Sequence, residues 1–169
     1  MKAHFASFAR YNEWANRQLY DAAASLPDAD YRADRGAFFK SLHGTLNHLL
    51  VADRIWMQRF TGEGAPPDKL NAILHDRLAE LRDARAAEDR RIIAYVDGLD
   101  EAQLAGTISY RRVSTPDMFV QPLAPALSHF FNHQTHHRGQ AHAILTGLAG
   151  KAPELDLLYF QRLVDAGKI

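Results

Sequence analysis

The stretch HFFNHQTHHRGQAH, residues 129–142, holds His129, His133, His136, His137 and His142. Neutral imidazole is a ligand for divalent cations, and two histidines four residues apart on a helix lie on one face of adjacent turns. At about 100° of rotation per residue, Leu123, Leu127, Phe130, Ala141, Ile144, Leu145 and Leu148 share one buried arc. His137 lies inside that arc and His133 on its shoulder. His129 and His136 sit at its edge, and His142 points away. His133 and His137 are thus the pair able to present nitrogens to one ion. Without an ion, each inward ring needs partners for both nitrogens, and an unmade buried hydrogen bond costs about 1–3 kcal/mol.

A third ligand must come from another helix. His48 and His43 flank the apolar stripe of an earlier helical segment on opposite sides. The wheel does not choose between them, and His4 and His75 are weaker options. Asp53, inside that segment's apolar arc, needs a buried partner. It could orient a ligand imidazole or pair with Arg17 or Arg138; the ion pair is the favoured role. Gln134 faces inward and could reach Asp53. His136 and Gln140, with Tyr11 and Asn12 from the first helix, could line the same cavity. No general base stands out.

Four apolar stripes of helical period must position these residues. The first runs from Lys2 to Ser25. The second runs from Ala37 to Phe60, with Phe38, Leu42, Leu46, Leu49, Trp56 and Phe60 along it. The third runs from a cap at Asp68 to Asp97, with Leu70, Ile73, Leu74, Leu78, Leu81, Ile92 and Val96. Its middle, RDARAAEDRR, reads as a solvated face. The fourth runs from Pro122 to Leu148, and a short helix follows over Glu154–Val164. Between the third and fourth, Ile108, Tyr110, Val113, Met118 and Val120 predict a β-hairpin in a long crossover. The fold class is all-α: one four-helix-bundle domain over residues 1–169, with that crossover and a short C-terminal helix.

The remaining composition narrows the chemistry. There is no cysteine, so disulfides, thiolate metal sites and cysteine nucleophiles are excluded. This fits a cytoplasmic protein. Twenty basic residues balance twenty acidic ones, which gives no electrostatic reason to expect nucleic acid or an anionic membrane as partner. No apolar run is long enough to span a bilayer. HExxH, Glu-x-x-His, G-x-S-x-G and Walker patterns are all absent.

Three blocks, YNEWANRQLY, DRGAFFKSLHGTLNHLLVADRIW and HFFNHQTHHRGQAHAILTGL, occur in this order. Together they resemble the DinB/YfiT-like family of metalloenzymes, the damage-inducible helix bundles rather than the polymerase of similar name. The resemblance spans nearly the whole chain. It implies a four-helix bundle, often a homodimer, with a divalent metal on three histidines: His48 in LNHLL, His133 in FNHQ and His137 in HHRGQ. Related bundles include S-transferases and isomerases that use low-molecular-weight thiols. The resemblance therefore implies a metal-dependent enzyme acting on a small molecule, with thiol transfer to an electrophile ahead of hydrolysis by activated water. Zinc or nickel suits three imidazoles best, with iron, manganese and cobalt as further options. The rival expectation is a non-catalytic binding or stress-response module that the metal merely stabilises.

Overall fold

A computed structural model describes residues 1–111 and 117–169. Four long helices carry the fold: α1 (Lys2–Ala24), α3 (Leu42–Thr61), α4 (Leu78–Gly98) and α6 (Leu123–Ala149). Between them lie α2 (Asp28–Arg32), α5 (Glu101–Leu104), β1 (Thr107–Arg111) and β2 (Met118–Pro122), and α7 (Leu157–Asp165) follows. The chain is an all-α bundle with one short antiparallel hairpin. α1 and α3 each pack on α4 and α6. The long α4–β1–β2–α6 connection is what seats α6 against both of them.

The apolar stripes build two large clusters, besides a small one of Tyr11, Trp14, Ala15 and Phe160 where α7 meets α1. Ala9, Trp56, Met57, Ile92, Leu127 and Phe130 belong to one. Leu19, Leu46, Leu50, Leu81, Ala141 and Leu145 belong to the other. Fully burying each large side chain of this kind contributes about 1.5–3 kcal/mol. The helix segments between the clusters carry buried polar residues, namely Asn12, Asn16, Asp53, Arg85, Asp89, Gln134 and Arg138. The helical register that fills both ends of the bundle thus leaves a polar layer across its middle.

Two predicted helix starts are wrong, for related reasons. The second helix begins at Leu42, not Ala37. Lys40 adopts a left-handed φ of 67°, and Ser41 is extended, with its Oγ accepting from the Gly44 N–H at 3.0 Å. The chain therefore bends over residues 36–41, and Phe38, expected in the stripe, is 83% exposed. Gly44 makes the bend possible, because a Cβ there would collide with the Phe39 carbonyl oxygen.

The third helix begins at Leu78, not Asp68. Residues 62–77 leave α3 through Gly62 at φ 74° and run without a helix. Side chains of α3 satisfy their backbone instead. Asn47 Oδ1 accepts from the N–H groups of Leu74 and His75, at 2.8 and 3.1 Å. Asn47 Nδ2 donates to the His75 carbonyl at 3.2 Å. Leu70 and Ile73 are exposed, so their helical spacing reflects no buried face.

The fourth helix and the C-terminal helix lie within a few residues of expectation. The short α5 was not foreseen, although Asp100 and Gln103 form a capping box at its start. In the hairpin, Ile108 pairs with Gln121 and Tyr110 with Phe119, while Val113 falls outside the described residues. The RDARAAEDRR segment is not wholly solvated, since Arg85, Glu88 and Asp89 are buried. No helix among the described residues is long and apolar enough to cross a membrane.

Candidate metal centre

α3 carries His48 and α6 carries His133 and His137. Their packing brings one ring nitrogen of each within 4.8 Å of the others. Ring centroids stand 4.4 Å apart for His48–His137 and for His133–His137, and 5.3 Å apart for His48–His133. Among the described residues no Asp or Glu joins this group.

Hydrogen bonds assign the tautomers. His48 Nδ1 lies 2.7 Å from the Leu70 carbonyl oxygen, which can only accept. Nδ1 therefore carries the proton, and Nε2 offers a lone pair. His137 Nδ1 faces Gln140 Oε1 at 2.9 Å, and the Gln140 amide nitrogen faces His136 Nε2 at 3.2 Å. This arrangement gives His137 the same tautomer. The two Nε2 atoms then confront each other at 3.2 Å. Two lone pairs at that distance repel unless a cation lies between them. Ligands bound at about 2.1 Å with angles of about 90–109° stand about 3.0–3.4 Å apart, a range that contains the observed separation. The residues present therefore fit a divalent ion.

Burial keeps the rings neutral. Desolvation lowers His48 to about 4, opposed by its bond to the Leu70 carbonyl and helped by His137. Desolvation lowers His133 to about 3, with a smaller push from His137 and the other neighbouring histidines. His137 is also lowered, chiefly by desolvation, while its bond to Gln140 opposes the shift. All three retain their lone pairs at neutral pH.

Phe39 closes one side of the cluster. Its ring stacks on His48 with centroids 3.7 Å apart and planes 16° from parallel, and meets His137 at 5.5 Å and 64°. On another side, His133 lines an open cleft of about 820 Å³ between α3, the 68–70 segment and the hairpin.

The other histidines among the described residues do not join the group. His43, the rival third ligand, reaches the His75 carbonyl at 3.2 Å and packs edge-on against Tyr31. His142 meets the Pro153 carbonyl at 3.1 Å. His4 packs on Phe8. His75 contributes backbone groups to Asn47 and does not join the group. His129 packs on Trp56 and lines the cleft beside His133.

A profile described as the DinB family matches residues 1–164. The chain belongs to the DinB family. It is 27% identical over 161 residues to Protein DinB of Bacillus subtilis strain 168, covering 89% of this chain and 90% of that relative.

In this DinB-family chain, several residues that support the cluster were not assigned from sequence. Phe39 was hidden in a presumed helix, and Leu70 acts through its backbone carbonyl. Gln140 was expected to line the cavity, and it bonds both His136 and His137. Tyr11 and Asn12 do not reach the site. Tyr11 donates its hydroxyl to the Leu155 carbonyl at 2.6 Å, and Asn12 donates to Asp89 at 3.1 Å.

Behind the site, Asp53 pairs with Arg85 at 2.7 Å, not with Arg17 or Arg138. Arg85 also pairs with Asp89 at 3.0 Å. Burial raises the Asp53 carboxyl to about 7, against the pull of Arg85. Gln134 donates to Asp53 and to the Leu49 carbonyl, so it ties α6 to α3 next to His133.

Proposed function

We propose that this protein is a divalent-metal-dependent enzyme with His48, His133 and His137 as the metal ligands. The observation that carries the reading is the 3.2 Å approach of two Nε2 atoms whose Nδ1 partners leave both with lone pairs. A bound cation supplies Lewis acidity, lowering the pKa of a coordinated thiol or water. The chain's own groups orient the ligands. The Leu70 carbonyl and Gln140 set the ring positions, and Phe39 excludes water from one side of His48.

Thiol transfer to a small electrophile is the favoured reaction, and hydrolysis is second. Zinc or nickel suits the all-imidazole set, with iron, manganese and cobalt as alternatives. Structural zinc sites are closed by four protein ligands, whereas catalytic sites keep a position open. A three-histidine group that no carboxylate joins among the described residues, with a cleft beside it, supports catalysis over a purely stabilising metal.

The test is elemental analysis of untagged protein alongside His133→Ala and His137→Ala. About one metal per chain, lost in both variants, is expected. Undiminished metal content in both variants refutes the ligand set. Titration of the cobalt-substituted protein with cellular thiols then separates the reactions. A charge-transfer band supports thiol chemistry, and its absence with every thiol refutes it.

A further inference from the structure

A buried cation is normally paired with a carboxylate or a bound anion. Arg138 of α6 is 3% exposed and ion-pairs with no carboxylate among the described residues. Its guanidinium donates to Asn12 Oδ1 and, at 3.3 Å, to Thr135 Oγ1, and its carbon lies 5.0 Å from the centre of the Tyr11 ring. These hydrogen bonds leave part of a five-donor group unused, and the Nε–H has no partner. Asp53 and Asp89, the buried carboxylates of the polar layer, both pair with Arg85. Arg138 is linked to Asp89 through Asn12, which donates to that carboxylate.

Arg138 lines a cavity of about 520 Å³ to which His48, His133 and His137 do not contribute. Side chains hold its outer wall in place. Tyr11 donates its hydroxyl to the Leu155 carbonyl at 2.6 Å, and His142 Nε2 meets the Pro153 carbonyl at 3.1 Å, so residues 153–155 are tied to both α1 and α6. That wall brings Glu154 and Asp156 into the lining. Both are exposed, and neither ion-pairs with a cation among the described residues. On the α6 side Gly139 adds no side chain, and a Cβ there would meet nothing within 4 Å. The cavity therefore has a cation at its buried end, acids at its exposed edge and open space along the helix.

We infer that this cavity binds a small zwitterion of the amino-acid class, with its carboxylate on Arg138 and its ammonium on Glu154 and Asp156. The volume lies within the range of small-molecule sites, about 300–1,000 Å³. A plain anion would meet the two acids, and a plain cation would meet Arg138. A molecule carrying both charges satisfies both ends, and the planar guanidinium suits a carboxylate at the inner one. The inference goes beyond the proposed function, because it needs neither the metal nor the cleft beside His133.

The experiment titrates the purified protein with glycine, 4-aminobutanoate and 6-aminohexanoate, which span a range of charge separations. Butanoate, hexanoate, butylamine and hexylamine serve as the singly charged analogues. The His142 ring and Gly139 amide signals are followed by NMR, with the Trp56 indole, in the other cleft, as the internal control. At least one amino acid is expected to move His142 and Gly139, leave Trp56 in place, and bind about tenfold more tightly than either analogue of its length. Glu154→Gln with Asp156→Asn alters exposed groups only and should cut the advantage over the carboxylate to about twofold or less. Gly139→Leu should fill the cavity and abolish binding while the helix keeps its stability, since glycine is a poor helix former. Arg138→Gln should abolish the advantage over the amine; if it does not fold, the other two variants decide. Amino acids also chelate divalent ions, so the titration is repeated on His48→Ala, where the preference should persist. Absence of binding by all three amino acids, an equally tight singly charged analogue, a preference that survives the rim or Gly139 variant, its loss in His48→Ala, or shifts at Trp56 alone would each overturn the inference. Metal content is unchanged in the rim variant if both readings hold, so failure of this site leaves the three-histidine centre untouched.

Discussion

Gln140 holds the proton-bearing side of His137, and its removal offers a measured test of the metal centre. Gln140→Ala deletes the acceptor 2.9 Å from Nδ1, leaving that ring free to rotate or to move its proton to Nε2. Loss of such a partner costs about 10–100-fold in metal affinity. At a metal concentration of about 100 times the wild-type dissociation constant, binding stabilises the wild type by about 2.7 kcal/mol. The variant should gain only about 1.4 to 0.4 kcal/mol at that concentration. For a chain of this size, the metal-induced rise in Tm should then shrink by about 3–9 °C. Gln140 is half-buried on the helix surface, so the metal-free proteins should melt within a degree or two of each other. Chelator competition measures the affinity and calorimetry the melting. Gln140→Glu, which keeps an acceptor of greater basicity, should restore wild-type affinity or exceed it. Equal affinity in the alanine variant would refute the assigned tautomer and the route by which His137 is oriented.

Other outcomes follow from the packing around the cluster and behind it. Gly44→Ala should cost about 1–3 kcal/mol and lower metal affinity, because the Phe39 backbone must retreat and take its ring from His48; unchanged melting and metal content would contradict this. Arg85→Met should cost about 3–5 kcal/mol in chemical denaturation, since Asp53 and Asp89 both lose their buried cation, and a cost below about 1 kcal/mol would show that the pair is not buried as described. His48 and His133 have folded pKa values of about 4 and about 3, below the ordinary 6.5, so the unfolded chain binds more protons between these values. The stability of the metal-free protein should therefore be fullest above about pH 6.5 and fall as pH drops toward 4 and 3. His48→Ala should flatten that slope, and an identical pH profile would refute the burial argument.

How far the sequence reveals this protein depends on where each residue finds its partners. The His133–His137 pairing is legible because α6 is regular, and one helical period places both rings on the face that meets α3. His48 is ambiguous on its own helix because its pocket is made elsewhere. The Phe39 ring arrives from a bend, and the Leu70 carbonyl arrives from a segment with no regular structure. Only the likeness to a known family separated His48 from His43. Arg85 sits in a run of charges that reads as solvent-facing, and its partner Asp53 lies on another helix. Leu70, Ile73 and Leu74 mimic a helical stripe because spacing alone does not show that Asn47 will take up the local amide groups.

Phe39 also gives the centre a handedness. One side is covered by a phenyl ring lying flat on His48, and the cleft opens on the His133 side, so a molecule in the cleft comes to the cluster past His133. Mirror-image forms of the same compound would then present different substituents to the same wall. On the proposed function, one enantiomer of a chiral substrate should react faster than the other, even though the proposed ligand set contains nothing but three identical side chains.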